Sequence, residues 1–418
     1  MSQPLRLIAG LGLATLSLVT FVQPPGRLVL PASVFATEFG YALIVITAMI
    51  LLPGWRCSRV GRIGALLGVI GVVPMLIPVV GAIETGRELP DQFVARFGDK
   101  QRTPASFSQG PRPFPFQLVE LVRPTQSRPV RYQRIVISNA GGHECGLDIF
   151  HPSYLHARIP AVIVIHGESW QPGGGEFVAL DGYLAARDYV VAALAPGTRG
   201  SQLSVGCDVI ATIQYLKANY EALGLDPTRM AVVGRSIAGH LALLAAYSAH
   251  DPAIRGVVSL YAPTDLRAWY ASASQPQALD TRALLRQYLG GDVQSAGAAY
   301  DAASPINFVG PASPATLLVH GMQDRVVPPD QSERLATRLS AQGVRNLFVR
   351  LPWAMHGCDK SFAGPCGQIT TYAVERFLDG VMVETVPPPQ PTKRKKTDRA
   401  AHPLKLVDVL STHPANPL

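Results

Sequence analysis

The sequence predicts an α/β fold: a mostly parallel, doubly wound sheet with about three membrane-crossing helices ahead of it. Continuous apolar runs of strand length alternate with helical patterns between residues 161 and 382, as expected of strands buried on both faces. One of these strands, residues 230–233, turns through Gly234-Arg235-Ser236 straight into a helical pattern, which would hold a serine hydroxyl above the sheet. The residues before residue 84 carry three apolar segments, in a chain that is 48% hydrophobic and only 16% charged.

Residues 7–22 follow Arg6, residues 40–52 gain length by reaching back to Val34 across Glu38, and residues 63–83 are uncharged and rich in Gly, Leu and Val. A bilayer core takes about 20 apolar residues, so the third segment is long enough by itself and the first two are acceptable spans. For the first segment the alternative is a cleaved signal peptide, and the further segments behind it favour an anchor. Arg56, Arg59 and Arg62 crowd the second connection, whereas the first carries only Arg27. The excess of arginine assigns the second connection and the N-terminus to the cytoplasm, and everything beyond Glu84 to the outer side. Residues 1–85 are thus expected to be the membrane region of a multi-pass cell-membrane protein whose main domain is extracytoplasmic. If the second segment did not span, that domain would face the cytoplasm.

Residues 86–130 are rich in Pro, Arg and Gln with little periodicity and read as a linker. From residue 131 to residue 384 a folded domain is expected. It opens with strands at 134–138 and 145–150, joined through Asn139-Ala140-Gly141-Gly142 as a hairpin. Strands follow at 161–165, 189–194, 230–233, 257–260, 316–319 and 347–351, with helices at 177–187, 207–223, 237–250, 331–342 and 368–382. The alternation lapses at about 263–311, a polar stretch holding Trp269, Tyr270 and a helical 281–289, which is expected to form a lid or a surface insertion. Residues 385–418 are Pro-rich, then basic at Lys393-Arg394-Lys395-Lys396, and are expected to be a disordered tail.

The net charge of +8 does not mark a nucleic-acid binder, because much of it sits in short membrane-flanking loops and the tail. Cys57 falls in the cytoplasmic connection, and Cys145, Cys207, Cys358 and Cys366 in the exported part. That even number is compatible with disulfides, Cys358 with Cys366 being the local pair, and equally with four buried thiols. No C-x-x-C pair or His/Cys cluster has zinc spacing, so no metal is expected.

A nucleophilic serine needs a base, and the base needs an acid to fix its tautomer. Asp324 follows the 316–319 strand in Val319-His320-Gly321-Met322-Gln323-Asp324, and His356 follows the 347–351 strand in Pro352-Trp353-Ala354-Met355-His356-Gly357. Both therefore fall at the carboxyl edge of the sheet with Ser236, in the chain order that a strand–serine–helix elbow uses. His320, at a strand end, reads as a packed histidine, and His166 as a loop brace. An oxyanion hole is expected from the backbone N–H of Ile237 together with Gly167 and Glu168, which follow the 161–165 strand. Two features depart from the usual pattern: Ala238 stands where G-x-S-x-G has its second glycine, and Glu168 puts a carboxylate beside the proposed oxyanion.

These residues resemble the α/β-hydrolase superfamily, in particular its bacterial carboxylesterases of the hormone-sensitive-lipase-like and feruloyl-esterase-like groups. Those carry H-G-G-G-W where this chain has His166-Gly167-Glu168-Ser169-Trp170, and G-x-S-A-G-G-H where it has residues 234–240. The acid motif H-G-x-x-D-x-x-V is matched in full by residues 320–327, and H-G by His356-Gly357. Tyr261-Ala262-Pro263-Thr264-Asp265-Leu266 and Ala303-Ser304-Pro305 are similar to that group as well. The resemblance covers roughly residues 130–383 and implies a serine esterase with an acyl-enzyme intermediate and no cofactor. The expected substrate is a small-molecule or envelope-associated ester. A prolyl-oligopeptidase-like peptidase would use the same triad but usually carries a propeller, and no blade repeats precede this domain. A catalytically inactive fold serving as a binding module is the rival from another class. Oligomeric state is not indicated.

Overall fold

The structure is a computed structural model that describes residues 1–21, 29–98, 110–123, 128–138, 144–153, 158–166, 178–194, 209–273 and 280–382. The N-terminal part is a helical bundle: α1 (Gln3–Phe21), α2 (Val29–Phe39), a 3-10 turn at Gly40–Leu43, α3 (Ile44–Ile50), α4 (Arg59–Met75) and α5 (Ile77–Phe97). Ser58 starts α4 by accepting a hydrogen bond from the Gly61 N–H at 2.9 Å. Small residues let the neighbouring helices approach closely. Gly64 faces the backbone of Arg6 and Leu7, and Gly71 that of Leu13 and Ala14, so α1 and α4 run in the same direction. Gly40 lies against Met75, and Gly68 against Ile50, so α2–α3 runs opposite to α4. Arg6 closes one end of the bundle by donating to the carbonyls of Ile50, Leu52 and Pro53. Two of the three expected segments, Ser33–Ile50 and Arg59–Phe97, are long and apolar enough among the described residues to cross a membrane.

One expectation fails here. Residues 86–97, read as linker, complete α5. Ala82, Leu89, Phe93 and Phe97 fall on one helical face and join the main core of the following domain. The polar residues between them and Pro90 hid that stripe in the sequence. Residues 110–123 are also docked, through Arg112, whose side chain is buried between Glu120 and Gln368 and whose N–H donates to Glu375 at 3.0 Å.

The domain itself comprises β1 (Val130–Ser138), β2 (Glu144–Pro152), β3 (Ile159–Ile165), α6 (Val178–Ala185), β4 (Val190–Leu194), α7 (Val209–Ala218), α8 (Tyr220–Leu223), β5 (Leu225–Arg235), α9 (Ile237–Ser248) and β6 (Ile254–Leu260). Then come α10 (Leu266–Ser272), α11 (Thr281–Leu289), α12 (Gly297–Ala302), β7 (Ala315–Gly321), α13 (Asp330–Ala341), β8 (Asn346–Leu351) and α14 (Pro365–Met382). Among the described residues the strands form one eight-stranded sheet, in the order β1-β2-β4-β3-β5-β6-β7-β8. β1 and β2 pair antiparallel, β2 meets β4 antiparallel, and the rest is parallel. Alternation along the strands divides the core. Val162, Val164, Val233, Leu317 and Val349 face α5, α6 and α14, whereas Ile163, Ile165, Val232, Leu318 and Phe348 face α7, α9 and α13.

The insertion forms α10, α11 and α12 around a small core of its own, in which Trp269 is buried with Leu285 and Tyr300. Trp269 therefore packs the insertion and is not an exposed substrate contact. Cys358 and Cys366 form a disulfide, Cys57 is an exposed thiol, and Cys207 lies outside the described residues, as do residues 385–418.

Candidate active site

Because β3 to β8 run parallel, their carboxyl ends share one edge, and the expected triad converges there. Ser236 follows β5 at φ 53°, a positive-φ conformation that costs a non-glycine residue of order 1–3 kcal/mol. Its N–H donates to the Leu260 carbonyl at 2.8 Å and so ties the turn to β6. The tight approach that the elbow needs is met by Gly234 and Gly239. A side chain on Gly234 would strike the Ala238 carbonyl, and one on Gly239 would come within 2.9 Å of Ala262 Cβ. Ala238 itself is fully buried, so the fold accommodates a methyl group at the position of the second glycine.

Ser236 Oγ lies 2.9 Å from His356 Nε2, and His356 Nδ1 lies 2.7 Å from Asp324 Oδ2. The Asp324 carboxylate is buried and surrounded by donors. Oδ1 accepts from the Val326 and Val327 N–H groups at 2.8 and 3.0 Å, and Oδ2 also lies 3.2 Å from His320 Nε2. Burial alone would raise its pKa, but the charge of His356 and the bonds from the two histidines outweigh burial and hold it well below the usual carboxylate range. His320 is in turn fixed by Ser332 Oγ at 2.7 Å and the Val327 carbonyl at 2.9 Å. It is thus a packed histidine with a second duty, orienting the acid.

Behind His356 lies a cluster that the sequence did not reveal. Tyr261, at φ 42°, sets its ring edge-on to the imidazole with centroids 4.8 Å apart. Burial, then Asp359, raises its phenol pKa, so the hydroxyl donates to Asp359 Oδ1 at 2.6 Å. Arg235, beside the serine, binds the other carboxylate oxygen at 2.6 Å. Arg235, Asp359 and Tyr261 thereby lock the serine turn to the histidine loop, and the Cys358–Cys366 disulfide brackets Asp359. Arg235 and Tyr261 fall within motifs read from the sequence, but nothing there pairs either with Asp359, because the three lie far apart in the chain.

The Ile237 N–H opens α9, where first-turn donors lack an acceptor inside the helix, and faces the same edge as Ser236. Gly167 and Glu168 lie outside the described residues. His166, just before them, is buried with Nε2 2.8 Å from Asp181 Oδ2, as a brace at the end of β3 requires. Among the described residues no group of three His, Cys, Asp or Glu side chains could hold a metal ion.

Solved structures share this architecture. A thermophilic carboxylesterase, EstE1, cloned from a metagenomic library, superposes with a TM-score of 0.50 at 22% identity, covering 62% of this chain and 92% of its own. Carboxyl esterase 2 of Tuber melanosporum does so with a TM-score of 0.50 at 20% identity, covering 62% and 90%. The chain has the α/β-hydrolase fold. Within it, residues 147–339 match the BD-FAE family. Esterase LipC of Mycobacterium tuberculosis is 29% identical over 244 residues, 53% of this chain and 58% of that protein. Isoprenylcysteine alpha-carbonyl methylesterase ICME of Arabidopsis thaliana is 24% identical over 220 residues, 49% of this chain and 51% of that protein. The chain thus spans less than two thirds of the curated relatives it matches.

Proposed function

We propose that this α/β-hydrolase is a membrane-anchored serine carboxylic ester hydrolase. The observation that carries the reading is the hydrogen-bonded series Ser236–His356–Asp324 on a strained elbow. His356 takes the proton as Ser236 Oγ attacks the ester carbonyl, and Asp324 stabilises the imidazolium. The oxyanion forms against the Ile237 N–H, with Gly167 and Glu168 supplying the second donor. The alcohol leaves with the proton from His356, and water attacks the acyl-enzyme by the same route to release the acid. The esterase names of the relatives support this chemistry.

Three spans, at α1, α2–α3 and α4–α5, would place Arg6, Arg56, Arg59 and Arg62 at one end, in the cytoplasm, and the hydrolase domain outside. The up-down-up course of the bundle is what supports that topology. Ser236→Ala is expected to lower kcat for p-nitrophenyl acetate by roughly 10⁴-fold or more and to abolish labelling by a fluorophosphonate probe. Full activity in that variant would overturn the assignment. A wild-type protein that neither turns over esters nor takes the probe would be an inert binding module.

A further inference from the structure

The direction of α5 decides which way the catalytic edge points. Gly81, near the start of α5, lies against the Trp353 ring just beyond the carboxyl end of β8. Near the other end of α5, Arg345, which precedes β8, sits over the Phe97 ring with 5.8 Å to its centroid. The helix therefore runs from the carboxyl edge of the sheet toward the amino edge. Gly86 beside Ile369, Phe93 beside Tyr372 and Phe97 beside Phe377 trace the same course along α14. Since α5 continues the apolar α4, the catalytic edge is the edge nearest the bundle.

Two further contacts hold it there. Glu38 of α2 accepts a hydrogen bond from the Cys366 N–H at 3.1 Å, and Gly364 leaves room for its carboxylate. Tyr41 donates to the Leu121 carbonyl at 2.9 Å. Beside that last contact, the segment 114–122 leaves Phe114, Leu118, Val119 and Val122 exposed at 60%, 59%, 56% and 75%. An apolar patch continuous with the membrane helices suits the acyl–headgroup boundary better than water.

We propose that the catalytic edge rests on the bilayer surface, with segment 114–122 dipping into it, and that Ser236 cleaves amphiphilic esters carried by that leaflet. The hydrocarbon part of the substrate stays in the membrane, and water cleaves the ester bond to a carboxylic acid and an alcohol. The proposal rests on the esterase and membrane-anchor readings above.

The test uses the full chain in phosphatidylcholine vesicles, with 4-methylumbelliferyl oleate in the bilayer and p-nitrophenyl acetate in solution. A Val119→Glu, Val122→Glu double variant is expected to lose at least about tenfold on the bilayer ester while staying within about twofold on the soluble one. Equal turnover of both esters by variant and wild type overturns the proposal. Should the double variant lose both activities through misfolding, bimane attached at Val119→Cys, in a Cys57→Ser background, decides. Quenching by brominated phosphatidylcholine supports the proposal, and no quenching overturns it. Failure of the esterase reading is seen separately, as soluble-ester turnover that survives Ser236→Ala. Failure of the anchor reading is seen as release of the protein by alkaline carbonate.

Discussion

His240 lies four residues past the serine, fully buried on α9, with Nδ1–H donating to the Pro263 carbonyl at 3.1 Å. Burial, only partly opposed by that bond, pushes its pKa down to about 4. The unfolded chain, with a histidine pKa near 6.5, therefore binds more protons than the folded one between about pH 4 and 6.5, and stability rises with pH across that window. Acidification from pH 6.5 to 4 is expected to remove about 3 kcal/mol through this residue. In urea titrations of the detergent-solubilised protein, His240→Phe should flatten the pH dependence by that amount, and an unchanged slope would contradict the assignment.

Among the elements, the parallel strands were the easiest to read, because burial on both faces writes them as unbroken apolar runs. α5 was the hardest. Its buried stripe is separated by charged residues and interrupted by Pro90, and only docking against α14 and β8 shows that it belongs to the core. The histidine loop depends on a covalent device as well. The disulfide spans a sequence separation of 8 and encloses Asp359, the residue that grips both Arg235 and Tyr261. Cys358→Ala with Cys366→Ala is expected to cost about 2–3 kcal/mol in unfolding stability. The same change should lower kcat more than it alters KM, since the loop holds His356. A variant with undiminished stability and kcat would show that the loop is held by its side chains alone.

At the scale of the whole molecule the bundle and the hydrolase are one packed body, joined through Gly81–Trp353, Glu38–Cys366 and Tyr41–Leu121. Cys366 is oxidised and fully buried and so cannot report topology, whereas the exposed Cys57 can. A membrane-impermeant maleimide is expected to leave Cys57 unmodified in intact cells and to label it after permeabilisation; labelling of intact cells would invert the orientation. The sequence by itself determined the sheet, the order of the triad and the apolar segments, because these depend on local periodicity and on which residue follows which strand. The tertiary structure alone decided that α5 is core, that Asp359 joins Arg235 to Tyr261, and that the carboxyl edge of the sheet lies toward the N-terminal bundle. Those outcomes depend on the direction in which one packed element crosses another, and no short stretch of chain encodes that direction.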